Sequence, residues 1–143
     1  MRGIKTMNEF AKGGCLCGEL RYTVKLLVKW VAHCHCSICR ENSGSAFVTW
    51  FGIQAENFNL DTGKHYLKWY SHTQGAERGF CECCGSSIFF RSKKWPDELH
   101  LTLANMKQDI QQQPKLNAYF DSHVEWAKFD HLKNISADGT AIN

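Results

Sequence analysis

Hydrophobic and polar side chains alternate most regularly just after the first glycine pair of the chain. Leu20, Tyr22, Val24 and Leu26 interleave with Glu19, Arg21, Thr23 and Lys25, a period of two that predicts a half-buried strand. Residues 27–32 extend the pattern into a second extended segment. Residues 46–53, Ala-Phe-Val-Thr-Trp-Phe-Gly-Ile, are rich in aromatic and β-branched side chains and predict a buried strand. Residues 58–60 and 65–70, joined by Asp61-Thr62-Gly63, predict a hairpin whose second arm carries His65, Leu67 and Trp69 on one face. A polar loop over 71–77, a strand over 86–91, a turn at Trp95-Pro96-Asp97-Glu98 and a strand carrying Leu99, Leu101 and Leu103 follow. Residues 105–115 read as a connection and residues 117–121 as a last strand. Trp126 and Phe129 are expected to lay the tail over the core, with disorder from Asn134 onward. The one helical segment expected is residues 37–43, with Ser37 as N-cap and Gly44 as its stop. Short strands at close intervals with little helix predict a mainly β domain of short antiparallel strands. The expected division is a loose leader over 1–12, one domain over 13–133 and a flexible tail over 134–143.

The cysteines change this from an ordinary β domain into a candidate metalloprotein. Cys34, Cys36 and Cys39 lie in His33-Cys-His-Cys-Ser-Ile-Cys-Arg40, spaced C-x-C-x-x-C. Cys15 and Cys17 form a C-x-C pair within Gly13-Gly-Cys-Leu-Cys-Gly18, and Cys81 and Cys84 form a C-x-x-C pair followed by Gly85. Cysteines merely filling a core would not fall at these spacings. A closed tetrahedral zinc site needs four ligands, which two incomplete pairs supply together and the local cluster lacks by one. Loop closure grows by only about 0.6 kcal/mol per doubling of length, so it does not prevent the distant pairs from meeting. A structural zinc contributes roughly 10 kcal/mol or more. Ligand counting therefore predicts one closed site, on Cys15, Cys17, Cys81 and Cys84, that staples two parts of the chain. It predicts one open site on Cys34, Cys36 and Cys39. All seven serving as inert structural ligands is the plainer alternative.

Cys83 is left over: a fourth ligand of the open site, a reactive thiol, or a filler beside the closed one. His33 and His35 flank Cys34 and are also candidates for the vacant position. The other histidines, His65, His72, His100, His123 and His131, stand alone as surface or core residues. Arg40 is either a solvated charge or a partner for an anionic ligand.

Composition narrows the classes. The 143 residues carry a formal charge of +3, and no window holds more than two adjacent basic residues, which argues against a dedicated nucleic-acid binder. No apolar run reaches membrane-spanning length. The N-terminal residues carry no apolar signal-peptide core, so a cytoplasmic setting is expected, where eight cysteines stay reduced and favour metal over disulfides.

Gly14-Cys-Leu-Cys-Gly18, Cys34-His-Cys-Ser-Ile-Cys-Arg40 with Ser43-Gly44, and Phe80-Cys-x-x-Cys-Gly-Ser86 together resemble the glutathione-dependent formaldehyde-activating enzyme family. The matching arrangement runs from Gly13 to about Trp126. The resemblance implies a zinc-stapled β-tent fold, shared with Rab-exchange accessory proteins and methionine-R-sulfoxide reductases. It implies two zinc ions per chain: a structural one on Cys15, Cys17, Cys81 and Cys84, and a second one on Cys34, Cys36 and Cys39. Two positions depart from the family pattern: Asn117 stands where a histidine is often found, and Cys83 is unusual. The implied activity is that of a carbon–sulfur lyase joining a thiol such as glutathione to an aldehyde such as formaldehyde, with Cys34, Cys36 and Cys39 at the reacting centre and Arg40 beside a glutathione carboxylate. A zinc ion on three thiolates has net charge −1, so it suits binding and acidifying another thiol better than making hydroxide. The alternative is a non-catalytic, zinc-stapled protein-interaction module, which would be indifferent to thiols.

Overall fold

The computed structural model describes residues 8–142. In chain order the strands are Phe10–Gly14 (β1), Arg21–Lys25 (β2), Trp30–Cys34 (β3), Val48–Gln54 (β4), Phe58–Thr62 (β5), Leu67–Tyr70 (β6), Ala76–Cys81 (β7), Ser87–Ser92 (β8), Glu98–Thr102 (β9), Leu116–Ala118 (β10), Asn134–Ile135 (β11) and Ala141–Ile142 (β12), with one helix, Ser37–Ser43 (α1), between β3 and β4. The mainly β expectation holds: β1, β2 and β5 form one antiparallel sheet. A second sheet has the order β10-β3-β4-β9-β8-β7-β6, antiparallel except for the β10–β3 pair. The period of two in β2 does what it predicts, since Leu20, Tyr22 and Val24 are wholly buried while Arg21 and Lys25 are exposed.

The core lies between the two sheets. Tyr22 and Phe58 of the small sheet meet Phe89 of the large one at ring-centroid distances of 5.2 Å and 5.3 Å, with Phe51, Ile53, Ile88 and Leu101 packed around them. Alternation in the large sheet sends the intervening side chains to its other face: Trp30, Ala32 and Cys34 of β3, Trp50 of β4, Phe90 of β8, and Glu98 and His100 of β9. That second face holds the candidate site.

Several expectations are corrected. Residues 58–70 do not form a hairpin: β5 pairs with β2 and β6 pairs with β7, so the two arms belong to different sheets. Gly63 and a 3-10 turn over Lys64–Tyr66 carry the chain from one sheet to the other, placing His65 off the strand that bears Leu67 and Trp69. The strand expected over residues 117–121 is Leu116–Ala118, and Phe120–Ser122 form a 3-10 turn. Trp126 and Phe129 are 72% and 63% exposed and do not cover the core. Asn134 and Ile135 pair with Ile142 and Ala141 where disorder was expected. Of the leader segment, residues 1–7 lie outside the described residues, and Phe10, Ala11 and Lys12 are paired with β2.

Gly63 is where the crossing depends on one residue. Its φ is +86°, and a Cβ there would fall on the carbonyl of Glu19, a backbone group that also accepts from Thr62 Oγ1 at 3.0 Å. Gly63→Ala should therefore destabilise the domain by about 2 kcal/mol or more, combining left-handed strain with overpacking against rigid backbone. Urea unfolding of the two proteins side by side checks this; an unchanged midpoint contradicts it.

Candidate metal centre

Cys15 and Cys17 sit in the turn that leaves β1, and Cys81 ends β7, with Cys84 in the turn that follows. The turns are built from short-range backbone bonds: Gly18 N–H to Cys15 O at 3.2 Å and Gly85 N–H to Cys81 O at 2.7 Å. They are joined to each other by Leu16 N–H donating to Ser86 Oγ at 3.0 Å. The result brings the four sulfurs together, all within 4.8 Å of one another, with Cys15···Cys17 at 3.5 Å and Cys17···Cys81 at 3.8 Å. Four sulfurs around zinc at about 2.3 Å stand roughly 3.8 Å apart in a tetrahedron, so the spacing fits such an ion. Because β1 belongs to the small sheet and β7 to the large one, an ion held by these four sulfurs would fasten the two sheets at one end.

Cys34 ends β3, Cys36 is the N-cap of α1, and Cys39 lies in its first turn. The cap is Cys36, not Ser37: Cys39 N–H donates to Cys36 Sγ at 3.3 Å. Gly44 stops the helix in the left-handed conformation, as expected. The three sulfurs lie within 4.8 Å of one another, and no fourth Cys, His, Asp or Glu joins them among the described residues. His33 Nδ1 is instead hydrogen-bonded with Thr49 Oγ1 at 2.8 Å, and the buried His35 places Nε2 3.0 Å from Asn117 Oδ1. Cys83 is exposed and belongs to neither cluster.

Proton affinities diverge within each cluster. Hydrogen bonding from Cys34 outweighs burial at Cys39 and, with Cys36 and the Arg78 guanidinium, brings that thiol down to about 5. The same contact with Cys39, together with burial, pushes Cys34 up, and burial pushes Cys36 up. In the four-cysteine group burial opposes ionisation of Cys84, but hydrogen bonds with Ser86 and Cys17 together outweigh it and bring the thiol down to about 5. Burial pushes Cys81 up. Crowded sulfurs give up one proton readily and resist the next, since like charges this close repel. A divalent cation relieves that repulsion, which is the electrostatic fit between these clusters and a metal.

A cavity of about 690 Å³ opens on the free face of the large sheet against the three-cysteine cluster. That is a small-molecule volume. Trp30, Trp50, Phe90, Trp95 and His100 wall it, with Cys34, Cys36 and Cys39 at one side. Arg78 is the cation beside the cluster: it is 8% exposed, its Nη2 donates to Cys39 Sγ at 3.6 Å, and its guanidinium lies 5.1 Å from the Phe90 ring centre. Its Nη1 has no hydrogen-bond partner among the described residues. Arg40 does not line the cavity; its Nε donates to the His35 carbonyl at 3.3 Å. Arg78 was not singled out in the sequence. The available signal was a lone charge sharing a strand face with Ala76 just before Cys81.

A mainly β domain with a four-cysteine group between its sheets and a three-cysteine cluster on a cavity defines a cysteine-rich protein with two candidate metal centres. The profile of the glutathione-dependent formaldehyde-activating enzyme family matches residues 10–122, and the chain belongs to that family. It is 22% identical over 126 residues to a Halomonas elongata protein provisionally named as a glutathione-dependent formaldehyde-activating enzyme, covering 83% of this chain and 80% of that one. It is 30% identical over 81 residues to an uncharacterized lyase of Schizosaccharomyces pombe, covering 55% and 56% of the two chains. A Rhodobacter sphaeroides protein of known crystal structure shares the fold with a TM-score of 0.61 at 22% identity, over 75% of this chain and 98% of that one. No described helix is long and apolar enough to cross a membrane.

Proposed function

We propose that this protein is a zinc-dependent carbon–sulfur lyase that adds a thiol such as glutathione to an aldehyde such as formaldehyde, and that the three-cysteine cluster is its reacting centre. The observation that carries this reading is the cluster itself: three sulfurs without a fourth protein ligand among the described residues, facing a cavity of small-molecule size. In this reading Cys15, Cys17, Cys81 and Cys84 hold a structural zinc, and Cys34, Cys36 and Cys39 hold a second. Zinc there supplies a soft Lewis acid that lowers the pKa of an incoming thiol.

The chain's own residues do the rest. The cavity brings thiol and carbonyl together and excludes water, which supplies the entropic part of the acceleration. Arg78 offsets the negative charge of the sulfurs and keeps a donor for the carbonyl oxygen as charge develops on it. In the balanced reaction sulfur bonds to the carbonyl carbon, the π pair moves to oxygen, and oxygen ends with the thiol's proton. Arg40, next to Cys39 in the chain, is proposed to meet a glutathione carboxylate outside the cavity. The setting is proposed to be the cytoplasm, where thiols stay reduced.

A second reading, a zinc-stapled protein-interaction module, is favoured by the exposed Trp126, Phe129 and Leu132 near the C-terminus. Exchange-rate measurement by NMR separates the two. Formaldehyde and glutathione combine unaided, so the zinc-loaded protein must raise the rate of S-hydroxymethylglutathione formation above that background, and Cys39→Ala must remove the increment. No increment from the folded, zinc-loaded protein with any thiol and aldehyde pair contradicts the lyase reading and supports the module.

A further inference from the structure

Formaldehyde has one carbon and no surface for a wall to recognise, yet the cavity beside the three-cysteine cluster is large and built of rings. Trp30, Trp50, Phe90, Trp95 and His100 come from four separate strands and one turn, and they converge on a single space of about 690 Å³. The rings support one another: Trp30 meets His100 at 4.6 Å, Trp95 meets His100 at 5.4 Å, and Phe90 meets Trp50 at 6.2 Å between centroids. Mutually packed aromatic walls are rigid, and edge-to-face and offset partners are what such walls bind best.

Glu98 and His100 on the wall are engaged with one another and with neighbouring residues. Glu98 accepts from Lys29 Nζ at 2.9 Å and from Trp30 Nε1 at 3.4 Å, and it lies 3.1 Å from His100 Nε2. Lys94, at the edge, lies over the Trp95 ring with its Nζ 4.9 Å from the centre. Of the residues on the wall, Arg78 keeps a buried donor, Nη1, without a partner among the described residues, and it keeps it next to Cys39. A tripeptide with two carboxylates and an ammonium would leave many of its polar groups unmatched on these walls. A flat apolar body with a single oxygen near Arg78 would not.

We propose that the cavity takes an aldehyde with an aromatic body, so that the carbonyl acted on at the three-cysteine cluster belongs to an aryl aldehyde instead of formaldehyde. The ring lies among Trp50, Phe90 and Trp95, the carbonyl oxygen faces Arg78, and the thiol approaches from the cluster side. The product is the aryl hemithioacetal: sulfur bonds to the carbonyl carbon, and the oxygen takes up the proton the thiol releases. This assignment rests on the lyase reading for its chemistry, but the binding it requires does not.

The test separates binding from turnover. The chain has five tryptophans, and Trp69 and Trp126 lie outside the cavity, so their indole N–H signals are internal controls. The binding probe is 2-naphthalenemethanol, which has the aromatic body but no carbonyl to react with lysine. Added to the ¹⁵N-labelled zinc protein, it should shift the indole signals of Trp30, Trp50 and Trp95 and leave those of Trp69 and Trp126 in place. Trp95→Ala, in a turn where its loss leaves the sheets paired, should weaken binding by about tenfold. Trp50→Leu, checked for folding by its spectrum, should do the same. In the rate assay with glutathione, 2-naphthaldehyde should be accelerated more than formaldehyde. A probe that shifts none of the three cavity indoles overturns the proposal, even if formaldehyde is turned over and the lyase reading stands. Preferential acceleration of formaldehyde with 2-naphthylmethanethiol overturns it too, since the aromatic body would then belong to the thiol. Binding with no acceleration of either aldehyde removes the chemistry taken from the lyase reading, and with it the aldehyde assignment.

Discussion

Cys84→Ser should leave the domain unfolded or insoluble. The residue closes the four-sulfur group that joins the turn after β1 to the turn after β7, and these strands belong to different sheets. A structural zinc is worth about 10 kcal/mol or more, while a whole domain of this size is stable by roughly 5–15 kcal/mol. Losing the ion therefore removes an amount comparable to the total. Serine restores the shape but not the soft anionic ligand, and it leaves the three remaining crowded sulfurs without the charge that reconciles them. Thermal melts with zinc analysis check this. A soluble, cooperatively melting Cys84→Ser protein that keeps its full zinc content contradicts the fastening role.

Cys36→Ala should separate the two clusters by behaving differently. Cys34, Cys36 and Cys39 lie within one strand-to-helix junction, so loss of an ion there loosens α1 without freeing one sheet from the other. The helix also loses its cap, because Cys36 Sγ accepts from Cys39 N–H. Losing a cap costs about 1 kcal/mol. The expected outcome is a folded protein with zinc falling from two ions toward one per chain, and with thiol addition reduced to the unassisted rate. A Cys36→Ala protein that melts as poorly as Cys84→Ala contradicts the division into a structural and a reacting centre.

Spacing made the cysteine groups legible. A C-x-C, C-x-C-x-x-C, C-x-x-C order constrains which sulfurs can share an ion, and the structure groups the sulfurs in the two sets that ligand counting predicts. The strand of Leu20, Tyr22 and Val24 was legible because only one of its faces is buried. The cavity was not, for the opposite reason. In β9, Leu99 and Leu101 fill the core while His100 and Thr102 are buried on the other face, so neither face contrasts with solvent. Trp50 likewise looks like one more core residue. The supposed hairpin over residues 58–70 failed because neighbouring strands in sequence need not pair, and Gly63 turns the chain toward the other sheet. The helix cap was missed because a cysteine sulfur took the place usually held by a hydroxyl or amide.

The three-cysteine cluster is proposed to be an open metal centre that accepts a thiol. Cobalt in place of zinc makes it visible, because thiolate-to-cobalt absorption responds to each change in the ligand set. Adding glutathione to the cobalt protein should change that absorption, and the protein with Cys34, Cys36 and Cys39 all replaced, its four-cysteine site still loaded, should not respond. An unchanged spectrum in the intact cobalt protein, with Cys83 or His35 identified at the fourth position, would mean a closed structural site and would contradict the account.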